Sequence, residues 1–423
     1  MKLNIYFLLF LFIFLLKEAF EYTVYNVNVK YIRKADHFVP PEFKGMIDGR
    51  LLEKAQKYSL DKIRFTLISS LFRTIMTIIF IFGGLLNMYN SWIVSLNYNF
   101  LISGWLFFVL LFCFNKLVSL PFNIHETFVI EDRYGFNTTT RRLWIADLIK
   151  SLLLSIVLLS LLVLLGLWLI QWSPNYWWLW VWCAMFAFSI FFMYVSPYIV
   201  EPLYNKFTPI EDDLLKKRII ALATRVGIQT SRILRMDASK RSRHSNAYFT
   251  GIGRTKRVVL YDTLLKEMTH DEIISILAHE LGHWRKWHLL KMTISFEVVS
   301  FILLYLTFRL TQSDFLLTVF MIGQKSLFAK FVIVALFVDV SSLALKPVMN
   351  AFMRGHERDA DRFSCETTGN GESMISALVR LSVKNLSTLN PHPLFVAIYY
   401  SHPPVMDRIK YIKKWLADKQ TLN

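Results

Sequence analysis

A histidine–glutamate–histidine motif is the part of the sequence best suited to catalysis. It reads His279-Glu280-Leu281-Gly282-His283 and ends an amphipathic segment just before a long apolar run. In a helix the two histidines lie one turn apart on one face, so both imidazoles can bind one Zn²⁺. Glu280 then lies beside the metal, where it can accept a proton from a metal-bound water. The motif therefore predicts one zinc ion and a general base.

The residues before the motif predict the start of its helix. Thr269 and Glu272 have the spacing of a capping box. Apolar residues then recur at helical spacing and predict a buried stripe, formed by Ile273, Ile274, Leu277, Ala278 and Leu281. The alternative interpretation is a structural helix whose histidines and glutamate face solvent and bind no metal.

A zinc peptidase needs a third protein ligand, and one class can be excluded. A metzincin would have a histidine six residues after His283, at the position of Leu289, with a glycine where Lys286 stands. His288 is one residue out of register, so the sequence does not fit that class. A gluzincin instead takes a glutamate from a later helix.

Glu357 is the candidate third ligand. In a helix it shares a face with Asp361, one turn further on. An aspartate in that place can accept a hydrogen bond from a ligand histidine and fix its tautomer. A charged, solvated helix face is the alternative interpretation of the pair. His356 competes as a ligand, but it is adjacent to Glu357 and points elsewhere on a helix.

The composition predicts a membrane protein. Of 423 residues, 54% are hydrophobic, which is too apolar for a soluble globule of this size. Seven apolar stretches can each span a bilayer: Leu3–Leu16, Phe65–Leu86, Phe100–Leu120, Ser151–Trp172, Tyr176–Ile199, Met292–Leu310 and Phe331–Met349. The first could be a signal peptide, but no typical cleavage site follows it, so we expect a retained anchor.

The placement of positive charge predicts the orientation. Lys and Arg concentrate in residues 17–62, 122–150, 200–291 and 350–423, while 87–99 and 173–175 have none. The positive-inside rule then puts the N-terminus in the lumen and the C-terminus in the cytosol. We expect four units: membrane helices 1–5 in 1–199, a cytosolic catalytic unit in 200–291, helices 6 and 7 in 292–349, and a cytosolic unit with the third ligand in 350–423.

The net charge of +17 does not require a nucleic-acid partner. The positive-inside bias and attraction to anionic cytosolic lipid account for it, so we expect membrane lipid as a partner and no nucleic acid. The three cysteines, Cys113, Cys183 and Cys365, offer no disulfide framework and no cysteine-rich zinc site.

The longest cytosolic stretch predicts a folded unit. Residues 211–226 predict a helix ending at Gly227, and residues 246–251 and 257–261 alternate as two strands around a Gly-containing turn. A hairpin just before the motif helix could pair its edge strand with an extended substrate. Residues 408–416 predict a C-terminal helix.

From about Tyr58 to Lys414 the chain resembles the type I CAAX prenyl proteases, which are membrane gluzincins. The matching segments are 128–131, 134–137, 202–209, 246–251, 258–265 and 279–284, Glu357 with Ala360-Asp361, and Ser401-His402-Pro403-Pro404. The resemblance implies a mainly α membrane protein whose seven transmembrane helices enclose a chamber, with a cytosolic catalytic unit containing a small sheet. It also implies removal of the –aaX tripeptide from prenylated CaaX proteins, in the endoplasmic reticulum membrane and potentially the nuclear envelope. His356 and Arg358-Asp359 depart from the family pattern, which leaves substrate preference open.

The same resemblance implies roles beyond the metal ligands. Asn246, Ala247 and Tyr248 would bind the substrate backbone, and His402 would donate a hydrogen bond to the oxyanion of the transition state. Arg408 would hold either the terminal carboxylate of the substrate or the local scaffold. Without the resemblance, Asn246 would be a turn residue and His402 a histidine at a helix start.

Two other functions compete with CaaX processing. A membrane quality-control protease could use the same site on chains without a prenyl group. A transporter with structural zinc is the non-enzymatic alternative, but Glu280 has no role in a closed structural site. The sequence leaves open the natural substrate, the preferred prenyl length, a second cleavage and the oligomeric state.

Overall fold

The computed structural model describes residues 4–34, 39–228, 230, 232–251 and 256–421. Within these ranges the helices are α1 Ile5–Lys34, α2 Gly49–Thr77, α3 Leu85–Ser95, α4 Phe100–His125, α5 Asp132–Tyr134, α6 Arg141–Trp172, α7 Trp177–Tyr204, α8 Asp213–Arg225, α9 Asp262–Glu267, α10 His270–Arg285, α11 His288–Thr311, α12 Phe315–Val319, α13 Leu327–Thr368, α14 Gly371–Lys384, α15 Pro393–Tyr399 and α16 Val405–Thr421. The segments Ile78–Phe82 and Glu126–Glu131 continue α2 and α4 with wider, π-type turns. Short 3₁₀ turns lie at Pro41–Phe43 and Ala238–Lys240.

Six helices in the described ranges are long and apolar enough to cross a membrane. They are Gly49–Phe82, Phe100–Tyr134, Arg141–Trp172, Trp177–Tyr204, His288–Thr311 and Leu327–Thr368, and they coincide with the second to seventh predicted spans over most of each span. The second predicted span runs too far, because the helix ends at Gly83 and Gly84, and Gly84 has a φ of +86°. Leu3, where the first predicted span begins, lies outside the described residues.

From Ile5 onward, the first predicted span lies in helix α1. This helix runs on past the span to Lys34 and carries charged residues in its middle. Lys17 Nζ lies 3.1 Å from Asp339 Oδ2 of α13, and Lys346 Nζ lies 2.7 Å from Glu21 Oε1. Charges at membrane depth face protein or water and pair with one another. These two ion pairs attach α1 to α13, which extends without interruption through Pro347 to the residues of the candidate site.

A four-stranded sheet forms the other side of the catalytic unit. Its strands are β1 Phe207–Pro209, β2 Arg232–Met236, β3 Ala247–Thr250 and β4 Arg257–Tyr261, in the order β1-β2-β4-β3. β2 and β4 are parallel, and the other neighbours are antiparallel. The structure confirms the predicted hairpin and places β3 at the edge of the sheet, while its turn, residues 252–255, lies outside the described residues.

The motif helix α10 packs between this sheet and α13. Its capping box is present, and its buried stripe joins Val258 and Leu260 of β4 in one apolar core. A Cβ atom on Gly282 would lie 3.1 Å from the Cα atom of Ala360, so the glycine allows α10 and α13 to approach closely. The Ser364 hydroxyl also donates to the Ser275 carbonyl, at 2.6 Å. Helix α13 therefore carries both the last membrane span and the face that meets the motif helix.

Candidate active site

His279, His283 and Glu357 meet between α10 and α13. The two Nε2 atoms of the histidines lie 3.2 Å apart. Glu357 Oε2 lies 3.4 Å from Nε2 of His279, and Glu357 Oε1 lies 3.3 Å from Nε2 of His283. His279 and Glu357 are buried, and His283 is partly exposed. The three side chains predicted as ligands are therefore together in space, although 74 residues separate His283 from Glu357 in the sequence.

The donor set fits a metal ion. A tetrahedral ion with bonds of about 2.0–2.1 Å holds its ligand atoms about 3.3 Å apart, close to the three measured separations. The facing imidazole nitrogens bring two lone pairs together, and Glu357 Oε2 is buried without a hydrogen-bond partner in the described structure. A bound cation would satisfy all three atoms.

Asp361 and Arg408 lie behind His279. Asp361 Oδ1 accepts a hydrogen bond from Nδ1 of His279 at 2.9 Å, so the Nε2 lone pair of His279 faces Glu357. Nε and Nη2 of Arg408 donate to the two oxygens of Asp361 at 2.8 and 2.5 Å. Burial acts to lower the pKa of His279, but the nearby carboxylates of Asp361 and Glu357 outweigh this effect and raise that pKa to about 9. The site thus favours a positive charge at this position.

Glu280 lies beside the candidate metal cluster but is not one of its members. Within the described ranges its carboxylate has no hydrogen bond and no ion pair, while His279, His283 and Glu357 form the group that could hold a metal ion. Burial raises its pKa, partly offset by the nearby imidazoles of His279 and His283. A carboxylate whose pKa is raised towards the working pH is a better general base.

His402 reaches the cluster from the loop before α16. Its exposed side chain places Nε2 3.2 Å from Glu357 Oε1. The Ser401 hydroxyl lies 2.9 Å from Nδ1 of His402. If that hydroxyl donates, the ring proton is on Nε2 and points into the site, where it can donate a hydrogen bond. The ring of His402 therefore faces the cluster of His279, His283 and Glu357.

The three predicted backbone-binding residues lie at and next to β3. The backbone N–H of Tyr261 donates to the carbonyl of Asn246 at 3.1 Å. In an antiparallel ladder, the backbone N–H and C=O groups of residues 246, 248 and 250 then point towards β4. The backbone N–H and C=O groups of Ala247 and Phe249 point the other way, to the free edge of the sheet. The Tyr248 hydroxyl donates to Glu201 of α7 at 2.9 Å. Tyr248 thus fixes the edge strand to a membrane helix, while Ala247 offers the backbone groups.

Two contacts at the site were not predicted from the sequence. His288, excluded as a ligand by its register, lies with its Nδ1 atom 3.0 Å from Nδ1 of His283. His356 also stays outside the cluster and stacks on His288, with ring centroids 4.0 Å apart. The left-handed backbone of Trp287, with a φ of 57°, breaks the helix between His283 and His288. Helical spacing could not reveal a contact made across such a break.

Two family models together match nearly the whole chain. Residues 28–206 match the model of the CAAX prenyl protease N-terminal region, described as five membrane helices. Residues 209–416 match the model of peptidase family M48. The second match contains every residue of the candidate site.

Relatives cover the chain over most of its length. It is 33% identical to CAAX prenyl protease 1 of Saccharomyces cerevisiae over 92% of both chains. It is 28% identical to the CAAX prenyl protease 1 homolog of Homo sapiens over 90% of both. The crystal structure of S. mikatae Ste24p matches with a TM-score of 0.88 and 31% identity, over 97% of this chain and 99% of that one. The chain therefore belongs to peptidase family M48 and is a multi-pass membrane metalloprotease.

Proposed function

We propose that this chain is a zinc endopeptidase of the endoplasmic reticulum membrane that removes the –aaX tripeptide from prenylated CaaX proteins. The observation that carries the proposal is the cluster of His279, His283 and Glu357 at the ends of membrane helices. The motif helix is followed directly by the span α11, and Glu357 lies on the same helix as the last span. Relatives bearing the CAAX prenyl protease name match over about nine tenths of the chain.

Zinc is the proposed metal because two imidazoles and one carboxylate form a ligand set typical of catalytic zinc. Such a site keeps a position open for water or substrate, in contrast to a closed structural site. Glu280 beside the cluster, without a structural partner in the described residues, supports catalysis over a transporter with structural zinc. When bound, zinc would polarise the scissile carbonyl and make the attacking water more acidic.

The residues of the chain divide the remaining work. Glu280 accepts the proton of the attacking water and returns it to the amine that leaves. His402 donates from Nε2 to the carbonyl oxygen as that atom gains negative charge. Asp361 keeps His279 in the tautomer that turns Nε2 to the ligand position, and Arg408 compensates the buried charge of Asp361.

The edge strand β3 would hold the substrate as an added strand. The outward backbone groups of Ala247 and Phe249 are the proposed partners for an extended peptide. In the structure the Ala247 N–H donates to Oδ1 of Asn246 at 2.9 Å. A substrate carbonyl could replace that acceptor and leave the Asn246 amide to bind the substrate backbone.

Cleavage of one CaaX peptide with and without its farnesyl group tests the proposal. A farnesyl chain is costly to keep in water, since burial gains about 0.8 kcal/mol per CH₂. We expect a much higher kcat/KM for the farnesylated peptide, with loss of the last three residues seen by mass spectrometry. Glu280→Gln serves as the inactive control for contaminating peptidases.

Other outcomes of the same assay would change the assignment. Equal kcat/KM for both peptides would refute the prenyl substrate and favour a quality-control protease acting on chains without a lipid. Weak residual cleavage in Glu280→Gln would be assigned to contaminating peptidases, whereas near-normal turnover would contradict the general-base role of Glu280.

A further inference from the structure

His288 contacts the outer nitrogen of a proposed metal ligand. Nε2 of His283 faces Glu357 at 3.3 Å, while its Nδ1 lies 3.0 Å from Nδ1 of His288. A neutral imidazole that binds metal through Nε2 carries its proton on Nδ1. His283 must then donate, and Nδ1 of His288 must accept. Both tautomers are thus assigned from the proposed zinc coordination together with this contact, since ring protons are assigned from their partners.

The surrounding structure holds the His288 ring in place. The side chain is 1% exposed, and it stacks on His356 with ring centroids 4.0 Å apart and planes 6° apart. Phe352 packs against the His356 ring in turn, with ring centroids 4.3 Å apart. A left-handed conformation at a residue other than glycine costs about 1–3 kcal/mol and persists where the surroundings require it. Trp287 adopts one, with a φ of 57°, and thereby turns the start of α11 back against α10.

The two proposed histidine ligands thus donate their Nδ1 protons to different kinds of acceptor. His279 donates to the carboxylate of Asp361 at 2.9 Å, and His283 donates to an imidazole. A neutral acceptor adds no further charge beside Glu280, Glu357 and Asp361. Outer partners of this kind fix the orientation of a ligand ring and are worth about 10–100-fold in metal affinity.

We propose that His288 is a positioning residue for the metal site, which orients His283 by accepting its Nδ1 proton. This inference rests on the proposed zinc site and extends it, because it assigns the outer partner of the second ligand. The proton of His288 then lies on Nε2, which has no hydrogen-bond partner in the described structure and is 3.9 Å from Asp359 Oδ2. Both neighbours, His356 and Asp359, lie on α13.

Zinc affinity of the purified full-length chain, measured by competition with a chelator, tests the role without relying on activity. His288→Leu removes the acceptor, and we expect affinity to fall by about 10–100-fold. His288→Asn places its oxygen near the position of Nδ1 and should keep affinity close to that of the unaltered chain. His125→Leu is the matched control, because His125 stacks on Phe65 at 5.1 Å and lies outside the site.

The pattern of affinities decides between a hydrogen bond and simple packing. Unaltered affinity in His288→Leu would overturn the proposal, as would an equal loss in His288→Asn. Should His288→Leu fail to fold, His288→Gln replaces it, since its oxygen lies near Nε2 and not near Nδ1. Equal affinities of the Asn and Gln variants would then refute the role. Failure of the unaltered chain to bind zinc would instead refute the zinc site itself.

Discussion

Charge compensation explains how the Asp361 carboxylate can be buried behind the candidate metal ligand His279. Asp361 is fully buried, and a buried carboxylate is unfavourable unless it is paired and hydrogen-bonded. Arg408 and His279 supply three hydrogen bonds to it, at 2.5, 2.8 and 2.9 Å. Because its guanidinium is already engaged, Arg408 is better suited to support the scaffold than to bind a substrate carboxylate.

Glu280→Gln separates metal binding from catalysis. The amide cannot accept the proton of the attacking water, so we expect activity to be lost while zinc content stays normal. His279→Ala, His283→Ala and Glu357→Ala should each lower zinc content as well. Zinc is measured by metal analysis and cleavage by mass spectrometry. Near-normal turnover in Glu280→Gln would contradict the general-base role, and full zinc content in Glu357→Ala would exclude Glu357 as a ligand.

His402→Phe tests transition-state stabilisation. A donor to the developing oxyanion acts mainly in the transition state, so kcat should fall by about 10²–10³-fold. KM and zinc content should change far less. Steady-state kinetics on the farnesylated peptide gives the result. A normal kcat with a raised KM would make His402 a ground-state binding group.

At the scale of elements, the distance between α10 and α13 sets the separation of the ligands. Gly282→Ala would add a methyl group 3.1 Å from Ala360 Cα and 3.2 Å from the Phe363 side chain. The helices must then move apart by a few tenths of an ångström, and such misplacement is costly in catalysis. We expect kcat/KM to fall by about 10-fold or more, with weaker zinc binding.

Gly355→Ala provides the matched control for this change. Gly355 also lies in α13, but a Cβ atom there would meet no atom within 4 Å. The substitution should leave activity unchanged and stabilise the helix by up to about 1 kcal/mol. If both variants behave alike, close approach at Gly282 does not govern the site.

Glu272 attaches the start of α10 to α14. Its carboxylate accepts from Ser376 at 2.6 Å, from Arg380 at 3.0 Å and from the N–H of Thr269 at 2.8 Å. Burial acts to raise the pKa of Glu272, but these hydrogen bonds outweigh it and hold that pKa below its usual value. The ionised carboxylate thus stabilises the fold at pH values above the pKa that Glu272 has in the unfolded chain. This stabilisation is lost as the pH falls through the lower pKa that Glu272 has in the folded chain.

Glu272→Gln should therefore destabilise the chain in a pH-dependent way. At pH 7 we expect a loss of about 1–3 kcal/mol in the free energy of unfolding, because charged hydrogen bonds are replaced by neutral ones. The difference from the unaltered chain should shrink below pH 4, near the pKa of a free glutamate of about 4.3. Thermal unfolding in detergent measures it, with Glu211→Gln as an exposed control. A difference that stays constant with pH would contradict the role of the charge.

At the scale of the whole molecule, patterns local in sequence were predictable. The helical spacing of His279 and His283, the capping box and the later membrane spans each depend on a few neighbouring residues. The hairpin and its edge position were also predicted, because strand alternation directly precedes the motif helix. Glu357 was found only because the motif required a third ligand and helical spacing offered the pair with Asp361.

Apart from the meeting of Glu357 with the motif histidines, contacts between distant segments were not predictable. Arg408 meets Asp361 across 47 residues, and Lys17 meets Asp339 across 322. No periodicity links such positions, since their contact depends on how helices pack in three dimensions. The support of His283 by His288 depends on one left-handed residue between two helices. Sequence patterns therefore predicted the candidate ligands, and packing determined which other groups contact them.

The orientation in the membrane is the remaining prediction at this scale. Lys and Arg lie almost entirely in alternate connections, and each such residue near the anionic cytosolic surface contributes about 1 kcal/mol. Lys325 and Lys330, the exceptions in 311–330, both pair with Asp314, at 2.6 and 3.0 Å. We expect tags after Asn423 and within 200–291 to be cytosolic, and one at the exposed Tyr98 between α3 and α4 to be lumenal. Proteolysis of sealed microsomes should remove the first two tags and spare the third. Protection of the C-terminal tag would reverse the topology and place the metal site in the lumen, away from cytosolic prenylated substrates.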